Sequence, residues 1–174
     1  KESRRSAAGC SSRAAPAEAD RPVFREMEQR WIGAIGAAAP PDCVDLLPGS
    51  VIARPHTGEQ RDDSTAYALT HEIFYLTDFG RHRLPAGLPG DALTAAIDDA
   101  LADQFGLNNL DLLAELAMVR AITGAAASPA SVLADALIRE SWSTYRFLPS
   151  PSFRIDRYAD LDEISQATYL AMGI

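Results

Sequence analysis

Lysine is nearly absent from this chain of 174 residues, occurring once, at Lys1, while acidic residues outnumber basic ones 24 to 16 for a formal net charge of −8. Phosphate-tracking surfaces are built from clustered Lys and Arg. The arginines here are scattered, so nucleic acid is not expected as a partner. Cysteine is scarce too: Cys10 and Cys43 are too few and too far apart for a zinc framework or a disulfide scaffold, and a reduced cytosolic state is the simpler expectation. No apolar run approaches the roughly 20 residues needed to cross a bilayer, and no tripartite leader opens the chain. The expectation is therefore a cytoplasmic protein without a membrane partner.

Recognisable catalytic devices are missing as well. There is no Gly-x-Ser-x-Gly elbow, neither cysteine has a histidine nearby in sequence, and no Gly-rich phosphate loop follows a strand. No motif specifies a cofactor. β-strand patterns and a repeat of fixed period are equally lacking. What the chain has instead is alanine, roughly a sixth of all residues, a usage that favours helix and is typical of high-GC bacterial genomes.

From Lys1 to about Pro22 the chain is Ser, Ala, Arg, Gly and Pro with no large apolar residue. Little surface is available there to offset the entropy of ordering, so residues 1–22 read as a flexible arm or linker. Residues 23–174 read as one helical domain, and a start at Lys1-Glu2-Ser3-Arg4-Arg5 is compatible with the C-terminal part of a longer protein. Phe24, Met27, Trp31, Ile32 and Ile35 recur at helical spacing, predicting a helix from Val23 to about Ala38 before Pro40-Pro41. Residues 40–61 read as an irregular connection with room for one helical turn. A second helix is predicted over 64–79, opened by Asp62-Asp63-Ser64 and closed by Gly80.

A third helix follows Leu88-Pro89, with Leu93, Ile97, Ala100, Leu101 and Phe105 on its apolar face and Gly106 at its end. Asn108 or Asn109 caps a fourth, so apolar from Leu110 to Ile122 that it should be central. Ser128-Pro129 begins a fifth, with Val132, Leu133, Ala136, Leu137 and Trp142 expected on its buried side. Asp160 caps a sixth containing Leu161, Ile164, Ala167 and Leu170. The fold class is thus all-α: antiparallel helical hairpins stacked as a bundle, an α/α solenoid or a partial toroid.

The richest stretch is Thr70-His71-Glu72-Ile73-Phe74-Tyr75-Leu76-Thr77-Asp78-Phe79-Gly80. On a helix His71, Phe74, Tyr75 and Asp78 share one stripe, mixing an imidazole, a phenol and a carboxylate. Functionally, His71 reads as a general base or metal ligand, with Tyr75 as proton donor or orienting group and Asp78 two turns along. A helix separates His71 and Asp78 by roughly 10 Å, too far to share one small metal ion without a ligand from a neighbouring helix. The structural alternative is that both lock helices together through buried hydrogen bonds.

Ala66-Tyr67-Ala68-Leu69-Thr70-His71 through Thr77-Asp78-Phe79-Gly80 resembles the signature of a family of actinobacterial all-helical proteins: Tyr-Ala-Leu-Thr-His, a short apolar and aromatic stretch, then Thr-Asp-Phe-Gly. Arg61-Asp62-Asp63, the leucine-rich stretch from Leu110 to Arg120 and the terminal Thr168-Tyr169-Leu170 extend the resemblance over about residues 23–174. It implies an all-helical fold and an occurrence beside genes for specialised metabolites, without a settled activity. One departure is that the segment from Glu163 to Tyr169 lacks the histidine that the family often carries there.

Other candidates have ordinary alternatives. Asp98, Asp99 and Asp103 resemble an aspartate-rich magnesium site, yet they suit a solvated face and no second acidic cluster accompanies them. Glu115 and Arg120 read as buried polar groups or, for Glu115, as part of a narrow polar stripe with Asp111. The run Trp142, Tyr145, Arg146, Phe147, Phe153, Arg154, Arg157 and Tyr158 reads as a ligand lid or as an arm packed across the bundle. Two functions remain from the sequence: a tailoring enzyme or accessory subunit of bacterial specialised metabolism acting on a small molecule or peptide at His71, Tyr75 and Asp78, or a non-catalytic module that binds a partner protein.

Overall fold

The computed structural model describes residues 22–37, 41–55, 63–146 and 148. Among them the order is α1 (Val23–Gly33), a 3-10 helix (Val44–Gly49), α2 (Asp63–Thr77), α3 (Gly90–Leu107), α4 (Leu110–Ile122) and α5 (Pro129–Tyr145), with no strand. None of these helices is long and apolar enough to cross a membrane. The helices pack against one another in a bundle-like arrangement in which α2 lies against α1, α3 and α4, and α5 covers α3 and α4. The all-α expectation therefore holds. The sixth helix expected after Asp160 and the arm before Pro22 fall outside the described residues.

Helix α2 is the axis of the packing: Ala66 and every residue from Ala68 to Thr77 are buried. A helix apolar on one stripe covers one neighbour, whereas a helix enclosed on all sides must place its polar groups inside the core. Thr70, His71, Glu72 and Thr77 are the groups so enclosed. Around them Met27, Ile52, Ile73, Phe74, Leu93, Ile97, Leu101, Leu113 and Leu116 form one continuous apolar core. Each fully buried large side chain contributes about 1.5 to 3 kcal/mol relative to exposure.

Several helix ends differ from the expected ones. Helix α1 stops at Gly33, before Ala38, leaving Ile32 and Ile35 half or more exposed. Gly106 lies inside α3, and Asn108 closes that helix in the left-handed conformation, at φ 54. Asn is the residue besides Gly that most readily accepts this geometry. Asn109 then caps α4 by accepting the Leu112 amide, while Ser128 and Ser131 form a reciprocal cap on α5.

The buried side of α5 is only partly the expected one: Leu137 and Trp142 are half-buried, the others are not. Val132, Leu133 and Ala136 are exposed, and Ala134 and Ser141 face the bundle with half-buried Leu137 and Ile138. The small Ala134 and Ser141 let α5 approach α3 and α4 closely, and close approach outweighed side-chain size in choosing the face. Leu148 turns back to pack on Ala114 and Ile138. Of the aromatic and basic run, Trp142 and Tyr145 are half-buried and Arg146 is exposed; the rest falls outside the described residues.

Candidate functional site

The second half of the richest stretch is a helix stop. Thr77 donates to Ile73 O at 2.7 Å and accepts the Gly80 amide at 3.0 Å, and the amides of Phe79 and His82 return to Phe74 O and Thr77 O. Asp78, Phe79 and Gly80 take positive φ in succession, at 49, 55 and 85. Left-handed backbone costs a non-glycine residue about 1 to 2 kcal/mol, so tertiary contacts must hold Asp78 and Phe79 in place. Asp78 Oδ1 accepts the Trp31 indole N–H at 2.9 Å, Asp78 Oδ2 accepts from Arg81 at 3.2 Å, and Phe79 stacks on Phe74 with ring centroids 4.9 Å apart. The helix therefore ends before Asp78, two residues earlier than the sequence implied.

Tyr75 and His71 face α1 as well. Tyr75 donates its hydroxyl to Glu28 at 3.1 Å and lies beside Trp31 at 5.7 Å between centroids. Burial, followed by the neighbouring Glu28 carboxylate, raises the Tyr75 phenol far above its ordinary range. Glu28 itself is held below the usual carboxylate range, first by its bond to Arg25. Asp78 is likewise lowered, first by the Trp31 hydrogen bond.

His71 is 8% exposed, stacked on the Tyr67 ring at 3.7 Å and flanked by Phe24, Phe74 and Tyr75. Its Nδ1 lies 3.0 Å from Tyr67 O. A carbonyl oxygen can only accept, so Nδ1 carries the proton and Nε2 is the acceptor of the neutral ring. Desolvation pushes the imidazole below its ordinary 6.5, against the pull of that backbone bond. Trp31, Tyr75, His71, Tyr67 and Phe24 thus form a continuous aromatic seam between α1 and α2.

Two carboxyls lie deeper than the aromatic seam. Glu72, 1% exposed, accepts the Ile52 amide at 3.2 Å and pins the segment after the 3-10 helix to α2. Glu115 of α4, 2% exposed, accepts the Thr70 hydroxyl at 2.8 Å and lies 3.7 Å from His71 Nδ1. Burial raises both to about 7. Glu115 does neighbour Asp111 on α4, as a narrow polar stripe would have it, but α2 closes over Glu115 and shuts it from water. Sequence reasoning passed over Glu72, a carboxylate that the structure places inside a run of ten buried positions, Ala68 to Thr77; its only sequence signal was the apolar stretch Ile73 to Leu76 that follows it.

The remaining acidic and basic candidates separate. Asp98 belongs to a half-buried junction, receiving Arg120 Nε at 2.7 Å and the Ser128 hydroxyl at 2.8 Å, while Arg120 also donates to Ala126 O. Asp99 and Asp103 are exposed on α3. No group of three or more His, Cys, Asp or Glu side chains suited to a metal ion occurs among the described residues. Cys43 is buried and unpaired, and burial raises its thiol.

No curated protein and no solved structure matches the chain. A family model, however, matches residues 1–170, nearly the whole chain, and carries the description of a domain of unknown function, DUF6895. The helical bundle organised around α2, with its aromatic seam and enclosed carboxyls, is thus that of a member of the DUF6895 family.

Proposed function

We propose that this domain is a non-catalytic helical module, an accessory subunit that binds a partner protein in bacterial specialised metabolism. The observation that carries this reading is that the candidate catalytic groups are already engaged by the protein's own side chains and backbone: Asp78 with Trp31 and Arg81, Tyr75 with Glu28, His71 Nδ1 with Tyr67 O. A general acid or base must reach a substrate proton within hydrogen-bond distance. Here the phenol and the carboxylate tie the α2 region to α1, while the imidazole Nδ1 is engaged by a backbone carbonyl of its own helix. The placing in specialised metabolism and in actinobacteria rests on the resemblance of the Tyr67 to Gly80 stretch.

The test is genetic complementation in the source organism by variants that keep the fold but lose the proton chemistry. Tyr75→Phe, Asp78→Asn and His71→Gln should each restore the phenotype of the deleted gene. Loss of complementation by a variant whose melting midpoint stays within a few degrees of the parent would favour instead the tailoring enzyme, acting on a small molecule or peptide through these residues.

A further inference from the structure

Thr70 offers one hydroxyl proton to more neighbours than it can serve. Its Oγ1 lies 2.8 Å from Glu115 Oε2, 3.0 Å from Tyr67 O and 3.1 Å from His71 Nδ1. Tyr67 O can only accept, and Nδ1–H already points toward it. When Glu115 holds a proton, its O–H donates to Thr70 Oγ1 and the Thr70 O–H turns to Tyr67 O, so that each proton has an acceptor. When Glu115 is ionised, the Thr70 O–H must turn to the carboxylate, and the proton it lost has passed to solvent.

We propose that Glu115, Thr70 and His71 form a buried, proton-responsive latch between α4 and α2, closed when Glu115 is protonated and loosened when it is ionised. The reading goes beyond the module function and does not depend on it. Among the described residues, the charged or titratable groups bearing on Glu115 come from α2 and α4. From α2 come Thr70, His71 and the Tyr67 phenol, which the carboxylate raises in turn. From α4 itself comes Asp111, whose negative charge opposes ionisation. Among the described residues no charged group of α3 or α5 acts on it.

Among the described residues the ionised state has no cation to meet. Burial keeps His71 neutral to lower pH than usual, and at the pH where it would protonate Glu115 already carries its own proton. An ionised Glu115 thus faces a neutral imidazole, one hydroxyl and the Asp111 charge. Its release from the interior comes from separating α4 from α2. Burial raises the carboxyl from the ordinary 4.5 to about 7, which places the transition near neutrality.

The experiment is amide hydrogen exchange of the whole chain, corrected for intrinsic rates, together with 13C titration of the Glu115 carboxyl. Every other titrating group is common to the parent and to Glu115→Gln, so the ratio of their α4 protection factors isolates this carboxyl. That ratio, variant over parent, should rise roughly thirtyfold between pH 5.5 and 8.5. In the parent the 13C midpoint should lie near 7, and in Thr70→Val it should move up, because the carboxylate loses its hydroxyl donor. A flat protection ratio, a parent midpoint near 4.5, or a midpoint that Thr70→Val leaves in place would overturn the latch.

Discussion

Glu72 sets a measurable conflict between burial and charge. It is 1% exposed, touches the loop through the Ile52 amide and titrates near 7 against 4.5 in the unfolded chain. Below about 4.5 both states hold the proton, and Glu72 adds nothing to the pH dependence. Above that the unfolded chain releases its proton first, so stability falls as pH rises, until the folded carboxyl ionises near 7. The loss amounts to about 3 kcal/mol, a large share of the 5 to 15 kcal/mol that holds a domain folded. His71 acts in the opposite sense: its lowered imidazole removes stability as pH falls below 6.5.

Comparing Glu72→Gln with the parent cancels the His71 and Glu115 contributions, because both chains share them. The glutamine carbonyl still accepts the Ile52 amide, so at pH 5 the two should differ by less than about 1 kcal/mol. At pH 8 the variant should be more stable by about 2 to 3 kcal/mol, since it has no charge to desolvate. Urea unfolding followed by far-ultraviolet circular dichroism at fixed ionic strength measures both values. If the two curves run parallel from pH 5 to 8, or if Glu72→Gln is the less stable protein at pH 8, the assignment of a buried, proton-holding Glu72 is wrong.

Two further outcomes follow from the helix stop and its anchor. Gly80→Ala should destabilise by about 1 to 3 kcal/mol in the same urea assay, because φ is +85 and a Cβ would lie 3.0 Å from Ile122 Cγ1 of α4; an unchanged midpoint would show that this turn is not tightly held against α4. Trp31→Phe and Asp78→Ala should couple by about 1 to 2 kcal/mol in a double-mutant cycle through the lost indole hydrogen bond. Additive effects would mean that the bond does not hold the Asp78 backbone.

By itself the sequence determined the helical class and where most of the helices lie. Spacing at Phe24, Met27 and Trp31, the apolar run from Leu110 to Ile122, and the capping signals at Asn109 and Ser128 are local physics, and they act before any helix meets another. The Tyr67 to Gly80 stretch stood out for the same reason: polar groups inside an apolar run require an explanation. What they do was decided only by packing. Trp31 reaches Asp78 and Glu28 reaches Tyr75 across 47 residues of chain, and no periodicity records such partners.

The same holds for the errors. Asp78 and Phe79 leave the helix because Trp31 and Phe74 hold them, and Val132 and Leu133 face outward because the small Ala134 and Ser141 let α5 come close. Glu115 is enclosed because α2 closes over it, whereas the pattern of α4 alone left it a polar stripe to occupy. Burial is a property of the assembled helices, and burial is what raises both glutamates toward neutrality. Local sequence thus chose the elements, and long-range contact chose which ionisable groups would be shut away from water.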